Sequence, residues 1–258
     1  MGTYKQFCPI AKASEILAER WTFLIVRELL LGSHHFSELE RGLTAIPRSL
    51  LVHRLRSLES AGLLSRVCAA NGRTHEYRLT EAGNDLAGIL NQLGTWGQRW
   101  ANDEIQPQDI DPSLLMWNMR RRLNTQSLPP RRLVIQFDFN GVKKGSYWLI
   151  VDRGEVEVCK TNPGFEPDLF VRADIQAMLA VWLGRLDLRH ALQAGSVALE
   201  GPRELVSAFP DWLALSPFAH VASARGNPES GTLDRAALPA SAPTRPRRSS
   251  LVGAASSK

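Results

Sequence analysis

The segment from Phe36 to Thr80 constrains the fold of this 258-residue chain more than any other stretch. Two short amphipathic helices are predicted at its start, and Pro47 suits the first position of the second helix, where its missing N–H costs nothing. The second helix carries an apolar stripe at helical spacing that consists of Leu51, Leu55 and Leu58. Gly62 predicts where this helix ends.

A β-hairpin is predicted directly after these helices. The runs at 63–68 and 75–80 read as strands, and Asn71-Gly72 between them tolerates the positive φ angles of a tight turn. Two helices followed by a hairpin with a basic tip form the winged helix-turn-helix layout. In that layout the second helix enters the DNA major groove, and the wing tip reaches the backbone or the minor groove.

The exposed side of the second helix and the hairpin tip supply the candidate DNA contacts. These residues are Arg48, Ser49, Val52, His53, Arg56, Asn71, Arg73 and Thr74. Arginine can pair bidentately with guanine, and serine or histidine can reach bases or phosphate. The alternatives are a solvated helix face and a hairpin tip kept polar for solubility.

Several motifs between Cys8 and Trp100 resemble the HxlR-type family of bacterial transcription regulators. The resemblance is carried by Cys8-Pro9, Arg20-Trp21, the leucine pattern of 51–64 and the run Tyr77-Arg78-Leu79-Thr80. The chain departs from the family at Glu19-Arg20-Trp21, where Gly-Lys-Trp is usual, and its wing lacks the usual proline.

The resemblance implies a homodimer formed by the first helix, near 10–18, and by a long helix at 81–101. It also implies an oxidant-sensing role for Cys8, because in some members of the family a cysteine at this place senses oxidants or electrophiles. The alternative for Cys8 is a small, partly buried side chain. Cys68 and Cys159 alternate with apolar strand residues and are predicted to be core. His34-His35 is better explained by a turn between helices than by a metal site.

The segment 105–222 resembles a sterol-carrier-protein-like fold. A helix near 112–123 precedes an alternating meander over 131–173, and helices then bracket a short strand at 195–201. The expected fold class is therefore α+β, a winged helix followed by an α+β domain with an antiparallel sheet. The predicted ranges are 1–104, 105–222 and a basic tail at 223–258 that is expected to be disordered.

If the second domain holds a hydrophobic ligand, its walls are expected on the sheet and on one helix. The candidates are Phe137, Trp148, Ile150, Phe170, Val181 and Trp182. Aromatic residues at strand or helical spacing are more often core than pocket, so both readings stay open.

Positive charge concentrates in the segment that is predicted to bind DNA. Residues 44–80 contain six arginines against Glu59 and Glu76, whereas 105–222 is neutral, with 13 basic and 13 acidic residues. That asymmetry is expected when one part of the chain meets phosphate. No apolar run approaches the roughly 20 residues of a spanning helix, and the start is too polar for a signal peptide, which predicts a cytoplasmic protein.

The leading hypothesis is a homodimeric transcription regulator that binds double-stranded DNA and responds to a hydrophobic small molecule or to thiol oxidation. The alternative is a carrier of hydrophobic ligands whose winged helix makes protein contacts. No nucleophile–base pairing, phosphate loop or metal-ligand spacing is visible, so an enzyme is not expected. No cofactor and no metal are expected either.

Overall fold

The first half of the chain forms a winged helix-turn-helix. The structure is a computed structural model that describes residues 3–68, 74–102 and 105–224. The elements of the first half are α1 (Pro9–Leu17), α2 (Thr22–Leu30), α3 (Phe36–Gly42), α4 (Arg48–Ser60), β1 (Leu64–Cys68), β2 (His75–Leu79), α5 (Glu81–Asn84) and α6 (Leu86–Trp100). This order of elements confirms the predicted layout. The predicted turn at Asn71-Gly72 and most of the predicted tail lie outside the described residues.

Local sequence rules account for most helix ends in this half. Pro47 is the N-cap of α4 rather than its first helical residue. Gly62 adopts a left-handed φ of 73° after α4, and the Thr80 hydroxyl accepts the Gly83 N–H at the start of α5. The single helix predicted at 81–101 is interrupted at Asp85, so α5 and α6 are separate helices.

The second half is an α+β unit. Its elements are α7 (Pro112–Arg121), β3 (Leu133–Asn140), β4 (Gly145–Asp152), β5 (Glu155–Cys159), β6 (Leu169–Asp174), α8 (Ile175–Trp182), α9 (Leu188–Gln193), β7 (Val197–Glu200) and α10 (Arg203–Trp212). Three aspartates cap helices here through their carboxylates: Asp111, Asp174 and Asp187. The predicted α+β fold class is confirmed.

The sheet of the second half has the strand order β5-β4-β3-β6-β7. Strands β3, β4 and β5 form the predicted antiparallel meander, and β6 pairs antiparallel with β7. However, β6 does not continue the meander, because the connection after β5 carries the chain back across the sheet to pair β6 parallel with β3. Period-2 alternation shows which side chains share a face but does not identify the neighbouring strand.

Each half has its own apolar core. In the first half, Leu51, Leu55 and Leu58 of α4 pack with α2, α3 and β1. In the second half, α7, α8 and α10 cover one face of the five-stranded sheet. Among the helices of the described ranges, none combines the length and the apolar character needed to cross a bilayer.

Candidate nucleic-acid interface

The outer side of α4 is polar and solvent-exposed in the complete chain. Ser49, His53 and Arg56 are exposed, Val52 is half-buried, and the leucine stripe on the opposite side is buried. The second half does not cover this surface. Helix α4 therefore presents a free polar and basic face beside the turn that precedes it.

Arg48 is oriented by α3 although it lies at the start of α4. Its side chain is 75% exposed, its guanidinium carbon lies 4.9 Å from the centre of the Phe36 ring, and its Nη1 lies 3.6 Å from Glu40 Oε1. Exposed ion pairs of this kind contribute about 0–1 kcal/mol. The contacts orient Arg48 and leave it accessible to phosphate.

Two other arginines of this segment are paired with carboxylates. Arg54 is largely shielded and donates to Glu19 at 2.6 Å, and Arg78 donates to Glu76 at the same distance. Glu19 is one of the two residues at which the chain departs from the Gly-Lys-Trp motif of the family. It links the α1–α2 connection to α4 and neutralises one arginine that contributes to the charge surplus of the sequence.

The wing is antiparallel, with Leu64 opposite Leu79 and Cys68 opposite His75. The predicted contacts Asn71 and Arg73 lie outside the described residues. Thr74, the first described residue after them, is exposed.

The two histidines before α3 have structural roles. The His34 carbonyl accepts the Tyr77 N–H at 2.8 Å, so the α2–α3 connection pairs with the wing strand β2. The His35 N–H donates to the Glu38 carboxylate at 2.9 Å, which ties the start of α3 to its first turn. Within the described ranges no cluster of three or more His, Cys, Asp or Glu could hold a metal ion.

The cysteines occupy three different environments. Cys8 is the half-buried N-cap residue of α1. Cys68 is exposed at the end of β1, so its predicted core position is wrong. That end of the strand lies beyond the body of the winged helix, where alternation with apolar residues no longer implies burial. Cys159 is half-buried on β5.

The six ligand-pocket candidates do not line one cavity, so that grouping is wrong. Cross-strand neighbours share a face of a sheet, and Phe137 lies opposite Tyr147 and Val171, on the face covered by helices. On that face it shares the core with Val181 and Trp182. The other three candidates lie on the opposite face of the sheet: Trp148, Ile150 and Phe170. Hydrophobicity selected these residues, but the register of the strands separates them.

A buried carboxylate on α2 joins the two halves of the chain. Glu28 is fully buried, and its Oε1 accepts a hydrogen bond from Arg27 at 2.9 Å. Its Oε2 accepts from Arg121 at 2.8 Å, from Ser33 at 3.2 Å and from Trp117 Nε1 at 3.3 Å. Burial raises the pKa of Glu28, but the hydrogen bonds and charges of Arg121 and Arg27 outweigh burial and lower it.

Glu28 was not among the functional residues predicted from the sequence. Its only signal in the sequence is a lone carboxylate in the apolar helix TFLIVRELL. The partners from the second half lie on α7, where the Arg120 guanidinium also stacks on the Trp117 ring at 3.8 Å. Helix α7 therefore contacts α2 and α3 with a polar and aromatic side, while its apolar side belongs to the second core.

Two further contacts attach the second half. The Thr44 hydroxyl, in the turn before α4, donates to Asp111 at 2.6 Å. The chain after α10 returns to α6, where the Phe218 ring packs against Gly94 and the Ala224 N–H donates to the Arg99 carbonyl at 2.9 Å. These contacts lie away from the outer side of α4.

The other side of α6 remains apolar and exposed. Ile89, Leu93 and Trp96 lie on one helical face, and Trp96 is 59% exposed. Phe7 and Ile10, at the start of α1, are 99% and 70% exposed. These are the two elements for which the family resemblance implies dimerisation.

Comparisons with known proteins agree with this architecture. Residues 16–105 match the HxlR-like helix-turn-helix family, and residues 126–213 match the SCP-2 sterol transfer family. The chain belongs to the HxlR-like helix-turn-helix family, because it is 39% identical over 112 residues to YvaP of Bacillus subtilis (strain 168) and covers 95% of that protein. Both resemblances found in the sequence are thereby confirmed.

The names of these relatives describe them as regulators. YvaP and Rv3095 of Mycobacterium tuberculosis (strain ATCC 25618 / H37Rv) are each named an uncharacterized HTH-type transcriptional regulator. Rv3095 is 42% identical over 106 residues, and the match covers 41% of this chain and 63% of the length of Rv3095. The match to YvaP covers 43% of this chain. The redox regulator HypR, solved in its reduced form, is 27% identical to this chain, and the two structures superpose with a TM-score of 0.33. The match covers 35% of this chain and 91% of the HypR chain.

Proposed function

We propose that this protein is a homodimeric transcription regulator that binds double-stranded DNA through α4 and the wing. The observation that carries the proposal is the outer side of α4. It is exposed and basic while the opposite side of the helix is buried, and the second half attaches elsewhere. Family membership and the names of the relatives support the same function.

Dimerisation is supported by the apolar surface of α6 and α1. A contiguous exposed stripe that includes Trp96 and Leu93 marks an interaction surface on a small domain. A second copy of the chain is its proposed occupant. A dimer would place two α4 helices about one DNA turn apart, near 34–36 Å.

DNA binding is tested by fluorescence anisotropy with a labelled random-sequence duplex at several salt concentrations. A dimer with six to ten phosphate contacts is expected to lose about three to five decades of affinity between 50 and 200 mM salt. Arg56→Ala should weaken binding to all sequences and reduce the slope of log affinity against log salt by about 1. His53→Ala should also weaken binding.

Arg189→Ala is the matched control, because Arg189 is an exposed arginine on α9 in the second half. Equal binding by the Arg56 and Arg189 variants would show that α4 does not read DNA. Retention of DNA that is absent or insensitive to salt would favour the alternative function, a carrier of hydrophobic ligands whose winged helix contacts protein.

The signal is proposed to be a small molecule in the second half or oxidation of Cys8. The position of Cys8 at the N-cap of α1, beside the proposed dimer surface, supports the second possibility. Cys8→Ser should abolish any change of DNA affinity caused by hydrogen peroxide. An unchanged peroxide response in this variant would rule out Cys8 as the sensor.

A further inference from the structure

A groove of about 170 Å³ lies between α7 and α8. Its floor is apolar and includes Leu114, Leu179 and Trp182, and its polar lining consists of Asp109, Asp111 and Asn118. Of the six predicted pocket residues, only Trp182 is part of this groove. The site lies on the helices, away from the outer face of the sheet.

The groove has room for a molecule of about one ring. An apolar protein cavity of about 150 Å³ accommodates benzene, whereas pockets for drug-sized ligands measure roughly 300–1,000 Å³. The space between the sheet and α10 is filled by buried aromatic side chains. The Phe209 ring centre lies 6.2 Å from that of Phe137 and 6.0 Å from that of Trp212. A sterol therefore fits neither the groove nor this packed interior.

The polar lining of the groove favours a cation. It consists of two carboxylates and one amide, and none of the lining residues is basic. Asp111 is ionised at neutral pH. Burial raises its pKa, but the hydrogen bonds from Thr44 and from the Ser113 and Leu114 N–H groups outweigh burial, and Lys160 lowers the pKa further. Asp109 is exposed and, among the described residues, accepts the Gln106 N–H at 3.2 Å through Oδ2, which leaves Oδ1 to accept from a ligand.

The groove adjoins two of the connections to the winged helix. Asp111 forms one wall and accepts the hydrogen bond from Thr44, in the turn before α4. Trp182 forms another wall, and its carbonyl accepts the Ser216 N–H at 2.9 Å, just before Phe218 packs on α6. An occupant of the groove would touch Asp111, which contacts the turn before α4, and Trp182, which contacts the segment that leads to Phe218 on α6.

We propose that the groove between α7 and α8 binds a compact amine, with one apolar ring or short chain and a protonated amino group directed to Asp109. The ligand acts on the winged helix through Asp111 and Trp182. This second step rests on the proposed DNA-binding function, whereas binding of the amine does not. A ligand can shift the DNA affinity only to the extent that it binds one arrangement of the two halves better than another.

Binding is tested by isothermal titration calorimetry of the full chain with phenethylamine, with phenylacetate as the matched anion. Phenethylamine is expected to bind at least tenfold more tightly than phenylacetate. Asp109→Asn should remove most of this preference, and Asp211→Asn, an exposed carboxylate on α10, should leave it unchanged. Leu179→Trp should fill the groove and abolish binding, whereas Gln176→Trp on the exposed side of α8 should not.

Equal affinity for phenylacetate, or phenethylamine binding by Leu179→Trp that equals binding by Gln176→Trp, would overturn the proposal. Binding of the fluorescent sterol dehydroergosterol without binding of phenethylamine would also overturn it. Circular dichroism checks the fold of each variant, and Asp109→Asn decides the matter if Leu179→Trp does not fold. Because calorimetry is done without DNA, loss of salt-dependent DNA binding would contradict only the proposed function.

Discussion

The two halves of the chain differ in how completely they bury their apolar side chains. Among the described residues, nine large apolar side chains are exposed in 3–102, and three are exposed in 105–224. Several of the nine lie on α1 and α6, whereas the three of the second half are scattered: Val142, Phe165 and Leu215. The second half thus completes its own core, and the winged helix leaves a surface that a second copy could cover.

The halves also differ in their buried polar groups. The buried polar residues of the described chain are Thr22, Glu28, Ser33 and Gln98, and all belong to the first half. Glu28 obtains two of its four donors, Arg121 and Trp117, from the second half. The buried charge of the winged helix is therefore paired both by its own Arg27 and by Arg121 of the second half, while the core of the second half is apolar.

The largest expected effect comes from removing one partner of this buried charge. Arg121→Ala should lower the free energy of unfolding by about 3–5 kcal/mol, because Glu28 would stay buried with less compensation. Urea unfolding measures the change, with Arg189→Ala as the surface control. Adding Glu28→Gln to Arg121→Ala should recover part of the loss. Surface substitutions usually change the free energy of unfolding by no more than about 0.5 kcal/mol. A change within that range for Arg121→Ala would show that the halves are not coupled in this way.

The apolar surface of α6 should give the next largest effect. Trp96→Ser is expected to weaken dimerisation by about 2 kcal/mol or more, as truncation of a central aromatic residue usually does. Sedimentation velocity over a range of protein concentrations measures the dissociation constant. Phe165→Ser removes a similarly exposed ring from the second half and should not change it. If both variants associate like the parent, the proposed dimer interface on α6 is wrong.

A smaller loss is expected at Gly42, where α3 passes close to Glu28. A Cβ at this position would overlap the Glu28 carboxylate, so Gly42→Ala should cost about 1–3 kcal/mol of stability. Gly88 on α6 is the matched control, since a Cβ there meets nothing within 4 Å. Gly88→Ala should be neutral or stabilising by up to about 1 kcal/mol. Equal melting temperatures for the two variants would contradict the close packing of the Glu28 carboxylate against Gly42.

The smallest expected effect is the loss of folding stability as the pH falls. The pKa values of Glu28 and Asp111 are lowered in the folded protein, so each contributes stability that is present above the unfolded pKa, about 4. That stability is lost as the pH falls through the lower folded values. Urea unfolding between pH 6 and 3 should show this decline, and Glu28→Gln should make it shallower. An equally steep decline in the variant would assign the acid sensitivity to other groups.

Features that depend on neighbouring residues could be predicted from the sequence. The leucine stripe of α4, the end of that helix at Gly62 and the cap at Thr80 follow from helical spacing and from the conformations that single residues tolerate. The meander from β3 to β5 follows from alternation with short turns. The resemblance to the HxlR-type family rests on these local patterns as well.

Features that join distant residues could not be predicted. Hydrophobicity grouped Phe137 with Trp148, but the strand register places them on opposite faces of the sheet. Alternation suggested that Cys68 is buried, but the side chain lies where the strand has left the core. The parallel pairing of β6 with β3 depends on a connection whose path has no local signal.

Helix α4, its polar face and the order of the elements follow from the amino-acid sequence alone, because helical periodicity and turn residues act over a few positions. The pairing of Glu28 with Arg121 and the groove beside Asp111 arise only when the chain is folded. Burial and charge pairing depend on which segments meet in space. The contacting groups of Glu28 and Arg121 are 93 positions apart in the chain.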